Sequence, residues 1–407
     1  MRRGGAINRG GAGNDRGVAV FSAYYLAHGG GMELATADLV RALLAAGMRV
    51  TWVSQADGVS QAEGVSQDDL APHCRPVPGT DIVYALSGVP LPLPMPWALP
   101  RIVRAIREAR VVIVVEANFV LSVTAFVIAR LCRRPTLLVQ HVGEPSTVSR
   151  VARAVMRLGE RLATRPMVRG ADAVVCVSPV VSGYFANERP GQDCLTIGHG
   201  IDTNSFRPSQ SAEERMADRA LLGLPDHGRV ACFVGRLTES KGIGVVAAMA
   251  RARPDWTFAI AGTGPVDPAR WNLRNVITFG QLDRQAVARL YRVSDVTVLP
   301  SQSESFSLVV REALAAGGTV LCSPQILDTD PGLSPFLLTE AVDLGNVAAT
   351  ASRFAAALDR QPAAGRDQAR GYVARECSGA AVTARYLAVV EALMAHPARP
   401  PAVRSAA

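Results

Sequence analysis

The chain has 407 residues, too many for one small core, so two α/β domains are the natural expectation. Its apolar content of 49% with few aromatics suits a globular α/β enzyme, and the net charge of +8 favours acidic partners: nucleotides, nucleic acid or an anionic membrane surface. The seven cysteines are scattered with no C-x-x-C pair, which excludes a disulfide framework or a zinc site and reads as reduced core residues of a cytosolic protein.

Residues 1–16 are rich in Arg and Gly and lack an apolar core, so they read as a disordered leader rather than a signal peptide. Val18 to Ser22 is a first strand. It leads into His28-Gly-Gly-Gly-Met-Glu33, then a helix from about Leu34 to Ala46 stopped by Gly47, then a strand from Arg49 to Ser54. A glycine turn between a strand and a helix lets backbone approach a phosphate closely, although this one is neither G-x-G-x-x-G nor a P-loop. Residues 56–67 hold a duplicated hexapeptide, read as an expanded surface loop, and Pro90, Pro92, Pro94 and Pro96 make a stiff extended connector. Val111 to Ala129 is apolar enough to raise a membrane span, but Glu116 and Asn118 divide it into a strand and a helix. Thr136 to Gln140 is a strand with His141 at its C-terminal end, the side where open parallel sheets place ligands. From Val148 to Thr164 a helix carries Arg150, Arg153, Arg157 and Arg161 at helical spacing, with Met156, Leu158 and Leu162 among them and Arg165 and Arg169 following. Such a face can rest on anionic lipid headgroups.

Ala173 to Ser178 is a strand and Val180 to Asn187 a short helix. The polar, glycine-containing segment His199 to Pro208 reads as a linker, after which the second domain begins. Its first strand, Arg229 to Val234, enters Gly235-Arg236-Leu-Thr-Glu-Ser-Lys241-Gly242. Two cations in a strand-to-helix loop make a diphosphate clamp: Arg forks onto phosphate oxygens and Lys supplies a point charge. Phe258 to Ala261 enters Gly262-Thr-Gly264-Pro, and Val276 to Phe279 ends at Gly280-Gln281-Leu282, before a helix opened by Asp283. Then comes the most informative stretch, 295–323: strand Val296 to Leu299, a polar loop with Glu304, Ser305, Phe306 and Ser307, and a helix from Leu308 and Val309 through Glu312 to Ala316, stopped by Gly317-Gly318. Ser305 and Ser307 sit where an N-cap belongs, and the unpaired N–H groups of a helix start bind anions. Glu304 and Glu312 beside such a cradle suit hydroxyl-rich groups. Asp328-Thr-Asp330 spells D-x-D, a metal motif in other settings, and reads as coincidence between its prolines. Asn346 to Leu358, Gln368 to Glu376 and Gly379 to Ala395 are helical, and the tail from His396 is disordered.

The stretch around Glu304 and Glu312 resembles the E-x7-E signature of the retaining GT-B glycosyltransferases of family 4, and Gly235 to Gly242 resembles that family's donor site. Ser307 replaces the usual glycine, Thr319 stands where proline is common, and Pro324 to Gly332 departs from the family's Gly-Gly-x-x-Glu loop. The resemblance runs from about Gly17 to Ala395. It implies a GT-B fold: two Rossmann-like domains, 17–199 on the acceptor side and 200–378 on the nucleotide-sugar side, facing across a cleft. It also implies a crossover helix at 379–395 returning to the first domain, with 396–407 as a tail.

The implied reaction transfers a sugar from a nucleoside-diphosphate sugar to a hydroxyl, with retention and without a metal or cofactor. The implied roles are Arg236 and Lys241 on the diphosphate, Glu304 on the donor sugar, Glu312 on the ribose, and His141 touching the sugar. Gly30, Gly31, Gly235, Gly262, Gln281, Leu282, Phe306, Ser307, Leu308 and Val309 complete the donor site. The acceptor is read as a cell-envelope lipid or polysaccharide precursor, with the arginine-faced helix at the inner face of the plasma membrane and no nucleic-acid partner. The alternatives are a non-catalytic relative that binds nucleotide-sugar or saccharide as a partner subunit, a natural-product glycosyltransferase, and an epimerase of the same architecture.

Overall fold

The computed structural model describes residues 16–25, 31–56, 69–80, 92–144 and 156–395. The leader to residue 15, Gly30, most of the duplicated loop, Pro90, Arg150, Arg153 and the tail from residue 396 lie outside the described residues.

Short β-branched runs fix the strands. GVAVF at Gly17–Phe21 (β1), VVIVV at Val111–Val115 (β5) and TLLVQ at Thr136–Gln140 (β6) are buried along their whole length, the mark of central parallel strands covered on both faces. With Arg49–Ala56 (β2), Cys74–Thr80 (β3), Leu93–Pro94 (β4), Ala173–Cys176 (β7) and Leu195–Thr196 (β8) they form an eight-stranded sheet, ordered β4-β3-β2-β1-β5-β6-β7-β8. β3 pairs in parallel with β2 and antiparallel with β4. Its CRPVPGT sequence hides it from a pattern reading, because Pro76 and Pro78 lack the N–H that a strand normally offers. Helix α1 spans Gly31–Ala45, three residues earlier than its apolar pattern implies, and α2 (Leu99–Glu108) and α3 (Val120–Leu131) follow. The apolar run 111–129 thus divides at Glu116 into strand and helix, and among the described residues no helix is long and apolar enough to cross a membrane.

The second sheet has six strands, all paired in parallel: Arg229–Val234 (β9), Trp256–Ala261 (β10), Val276–Gly280 (β11), Val296–Leu299 (β12), Thr319–Cys322 (β13) and Leu337–Thr339 (β14), ordered β11-β10-β9-β12-β13-β14. Two apolar layers sandwich it. Phe233, Met249, Phe258 and Phe354 belong to one, and Leu290, Val310, Leu314 and Leu333 to the other. Polar caps start the helices: Asp283 caps Arg284–Val293 (α4), Ser307 caps Leu308–Ala315 (α5), and Asn346 caps Val347–Ala357 (α6), each accepting a backbone N–H inside its helix.

By internal contacts the chain divides into two units. The first holds residues 1–176, 184–195 and 385–407, the second 177–183 and 196–384. The division falls at Leu195/Thr196, ahead of the expected linker and four residues before the expected boundary, and the last helix, Gly379–Ala395, is apportioned between both. In each sheet the strand order reverses at the first strand of the unit: β1 lies between β2 and β5, and β9 lies between β10 and β12. Loops leaving the carboxyl ends of strands at such a reversal diverge and leave a crevice, the usual ligand site of an open α/β sheet.

Candidate active site

The second unit assembles its site at this reversal. β9 runs into Gly235 and Arg236, and a single turn, Glu239–Lys241, carries Lys241. β12, its neighbour, runs into the loop that carries Glu304. The two loops meet side chain to side chain: Lys241 Nζ donates to Glu304 Oε1 at 2.6 Å. Lys241 is 23% and Glu304 11% exposed, so the pair is sheltered but reachable. A third loop, after β10, packs on the first. Gly262 has φ 139°, and a Cβ there would fall 1.8 Å from the Gly235 carbonyl oxygen, so this approach requires glycine.

Of the two candidate cap residues, Ser307 is the one used: its Oγ accepts the Val310 N–H at 3.4 Å. Leu308 and Val309 begin α5 half-buried against the core. Glu312 lies further along α5, beside the Tyr291 hydroxyl. Burial raises its carboxyl to about 7, while Arg284 and Tyr291 act in the opposite direction. Arg236 and Gln281 are exposed, and Leu282 is half-buried. No hydrogen bond or ion pair among the described residues joins Arg236, Gln281 or Glu312 to the Lys241–Glu304 pair.

In the first unit, Gly31 opens α1, and His141 ends β6 as expected. His141 is buried, which pushes its imidazole down to about 4 and keeps it neutral near neutrality. Beside it stands a residue the sequence reading did not assign. Glu116, 1% exposed and in the left-handed region at φ 60°, directly follows β5. Its Oε2 accepts the His141 and Val142 N–H groups at 2.9 and 3.1 Å, and its Oε1 accepts from Asn118 Nδ2 at 2.6 Å and from Gln140 Nε2. Asn118 in turn accepts from the Thr164 hydroxyl at 2.8 Å. Burial raises the Glu116 carboxyl to about 7 despite these donors. A buried carboxylate after an apolar strand must be hydrogen-bonded, but the sequence does not name the partners that supply those bonds.

The arginine-faced helix is helical from residue 156, with a π-turn at Glu160–Thr164 continuing into Arg165–Gly170. Arg157 and Arg161 are exposed, beside Leu158 and Leu162 at 57% and 72% exposure. Arg165 and Arg169 are drawn away: Arg165 pairs with buried Glu160 at 2.7 Å and with Glu188, and Arg169 with Glu188 at 2.5 Å. Asp328 is exposed and Asp330 is committed to Arg311 and Tyr372. Among the described residues no group of three or more His, Cys, Asp and Glu side chains is placed to hold a metal ion.

Two largely parallel sheets with helices, and a candidate loop site at the strand-order reversal of the second, define a protein of the GT-B fold. Solved structures share it: sucrose-phosphate synthase from Thermosynechococcus elongatus matches with a TM-score of 0.70 at 21% identity over 93% of this chain and 99% of that one. Anabaena HepE in complex with UDP-glucose also gives 0.70, at 16% identity over 93% and 100%. Residues 29–205 match the family model described as Glycosyltransferase Family 4, and residues 214–326 match that of Glycosyl transferases group 1. The chain belongs to this family of glycosyltransferases. Among curated relatives, a D-inositol 3-phosphate glycosyltransferase of Streptomyces scabiei is 31% identical over 39% of this chain and 40% of its own length. A putative teichuronic acid biosynthesis glycosyltransferase, TuaC of Bacillus subtilis, is 28% identical over 49% of each. The chain thus spans less than half the length of these relatives.

Proposed function

We propose that the protein is a retaining, metal-independent glycosyltransferase that moves a hexose-type sugar from a nucleoside-diphosphate sugar to a hydroxyl of a cell-envelope lipid or polysaccharide precursor. The observation that carries this reading is the Lys241–Glu304 pair at the reversal of the second sheet, a phosphate-binding cation and a sugar-binding acid 2.6 Å apart. Cleavage of the bond from the anomeric carbon to the diphosphate leaves negative charge on the phosphate oxygens. Lys241, Arg236 and the first N–H groups of α5 stabilise that charge as it grows. Glu304 faces the positive charge developing at the anomeric carbon, Glu312 accepts the ribose hydroxyls, and His141 serves the sugar. The acceptor oxygen bonds to the anomeric carbon on the face the phosphate leaves, and its proton passes to the leaving phosphate, so no protein base or nucleophile is required. The cations and the helix start supply the charge that a metal supplies elsewhere.

The HepE complex with UDP-glucose supports a UDP-sugar as the first donor to test. The exposed Arg157, Leu158, Arg161 and Leu162 support docking of the protein on an anionic inner-membrane face, where a lipid-linked acceptor is presented. The test is a panel of UDP-, GDP-, ADP- and dTDP-sugars in EDTA with membrane lipid extract as acceptor. NMR then reads the anomeric configuration of the product. Transfer with retention is expected; inversion, or transfer abolished by EDTA and restored by a divalent metal, overturns the reading.

A further inference from the structure

The segment Pro324 to Gly332, where this chain departs from the family pattern, contains an aspartate, Asp330, with a specific task. Asp330 Oδ1 accepts the Tyr372 hydroxyl at 2.6 Å and the Gly332 N–H at 3.2 Å, while Oδ2 accepts from Arg311 Nη2 at 3.1 Å. Arg311 is 1% exposed, among the largest fully buried side chains of the protein. On its other side Nη1 donates to the Ser307 carbonyl at 3.1 Å, and the guanidinium carbon stands 3.8 Å from the centroid of the Phe306 ring. Phe306 meets the His199 ring edge-on at 4.9 Å. Gly198 makes room for it, since a Cβ there would lie 2.3 Å from the Phe306 ring.

A buried guanidinium is costly unless its donors are engaged, and an aliphatic side chain would fill the same core position without that cost. What the cation adds is directional: it ties the loop after β13, through Asp330, to the backbone at Ser307 and the ring at Phe306. Ser307 is the cap of α5, so the tie fixes the start of the helix that the donor-site reading assigns to the phosphates. We propose that Arg311, fixed by Asp330, is a positioning residue for the donor loop 304–308, holding Phe306 and Ser307 in place for a nucleoside diphosphate without touching it. This rests on the donor-site reading above. It also gives the second aspartate of the D-x-D match a role that involves no metal.

The test uses Arg311→Met, which keeps the buried stem, and Asp330→Asn, which keeps the shape of the carboxylate, with the double variant. Two readouts are taken: hydrogen exchange of the amides at 304–310, and calorimetric binding of UDP, GDP, ADP and dTDP. For Arg311→Met, exchange at 304–310 accelerates at least about tenfold over the rest of the second unit, and the affinity of the nucleotide that binds falls at least about tenfold, with the circular dichroism spectrum retained. Asp330→Asn moves both readouts in the same direction, and the double variant is no worse than Arg311→Met, because both changes break one tie. Unchanged exchange at 304–310, loss of thermal stability with nucleotide affinity intact, or losses that multiply in the double variant would each overturn the proposal. A wild-type protein that binds none of UDP, GDP, ADP and dTDP removes the donor-site reading instead, and the exchange data still decide whether Arg311 holds the loop.

Discussion

Glu304 and Lys241 pair directly, so under the proposed function the acid competes with a diphosphate for the same ammonium group. Glu304→Gln keeps the side-chain shape and removes the charge. An exposed ion pair contributes up to about 1 kcal/mol, and breaking a buried one costs about 3–5 kcal/mol. At 23% and 11% exposure this pair lies between those limits. Because glutamine retains one acceptor oxygen, the released interaction is about 1–2 kcal/mol, which corresponds to roughly fivefold to thirtyfold tighter binding of a diphosphate. Removing a carboxylate near the phosphates acts in the same direction. UDP without its sugar isolates the effect, since lost contacts to the sugar then play no part. Calorimetry should find UDP bound more tightly by Glu304→Gln than by the wild type, while turnover of the intact donor falls by about two orders of magnitude or more. Lys241→Met should lose both affinity and turnover. Glu304→Gln binding UDP no tighter than the wild type would refute the assignment of Lys241 to the diphosphate.

The Glu312 carboxyl, raised to about 7, makes two pH predictions. The unfolded chain loses this proton near the ordinary glutamate value and the folded protein keeps it until about pH 7, so Glu312 contributes a fall in stability as pH rises between those values and none above. Glu312→Gln should flatten the stability profile across that window in urea titrations; an unaltered slope contradicts the buried titration. If the ionised carboxylate accepts the ribose hydroxyls, UDP should bind more tightly at pH 8 than at pH 6 while inorganic pyrophosphate shows no such gain, and equal pH dependence of the two probes removes Glu312 from the ribose. Glu116→Ala orphans the donors from two loops and should cost about 2–4 kcal/mol in urea denaturation, whereas a midpoint like the wild type contradicts the hub at His141. Replacing Arg157 and Arg161 by Glu should weaken sedimentation with phosphatidylglycerol vesicles by roughly thirtyfold or more, at about 1 kcal/mol for each cation lost near the surface, and unchanged sedimentation removes this helix as the docking face.

Much of the second unit was legible because its signals are local. An apolar β-branched run, a glycine and a capping residue suffice for each strand-loop-helix unit, and the cation and acid that meet in the structure come from two such units 63 residues apart. The reversal of strand order that brings them together is not written in either motif; it is seen only in the sheet, where β9, the first strand of this unit, lies between β10 and β12. Ser307 rather than Ser305 caps α5, a choice set by two residues of register that propensity does not resolve. Strand β3 escaped because proline is a poor strand residue, and its place near one side of the sheet is what tolerates it. Glu116 and Arg311 escaped for a different reason. Each is a charged residue among apolar neighbours, and what satisfies it comes from elsewhere in the chain: the loop after β6 for Glu116, and Asp330 for Arg311.

The central claim, a metal-free donor site for one class of nucleoside diphosphate built on Lys241, is tested most directly by thermal shift. UDP, GDP, ADP and dTDP and their common sugar conjugates are screened in EDTA against the wild type and Lys241→Met. A ligand present at about a hundred times its dissociation constant stabilises by about 2.7 kcal/mol, well within reach of the assay. The account predicts a clear shift with one nucleotide class and its sugar conjugates, lost in Lys241→Met. Folded wild-type protein that shifts with none of them, or a shift that Lys241→Met retains in full, would contradict it.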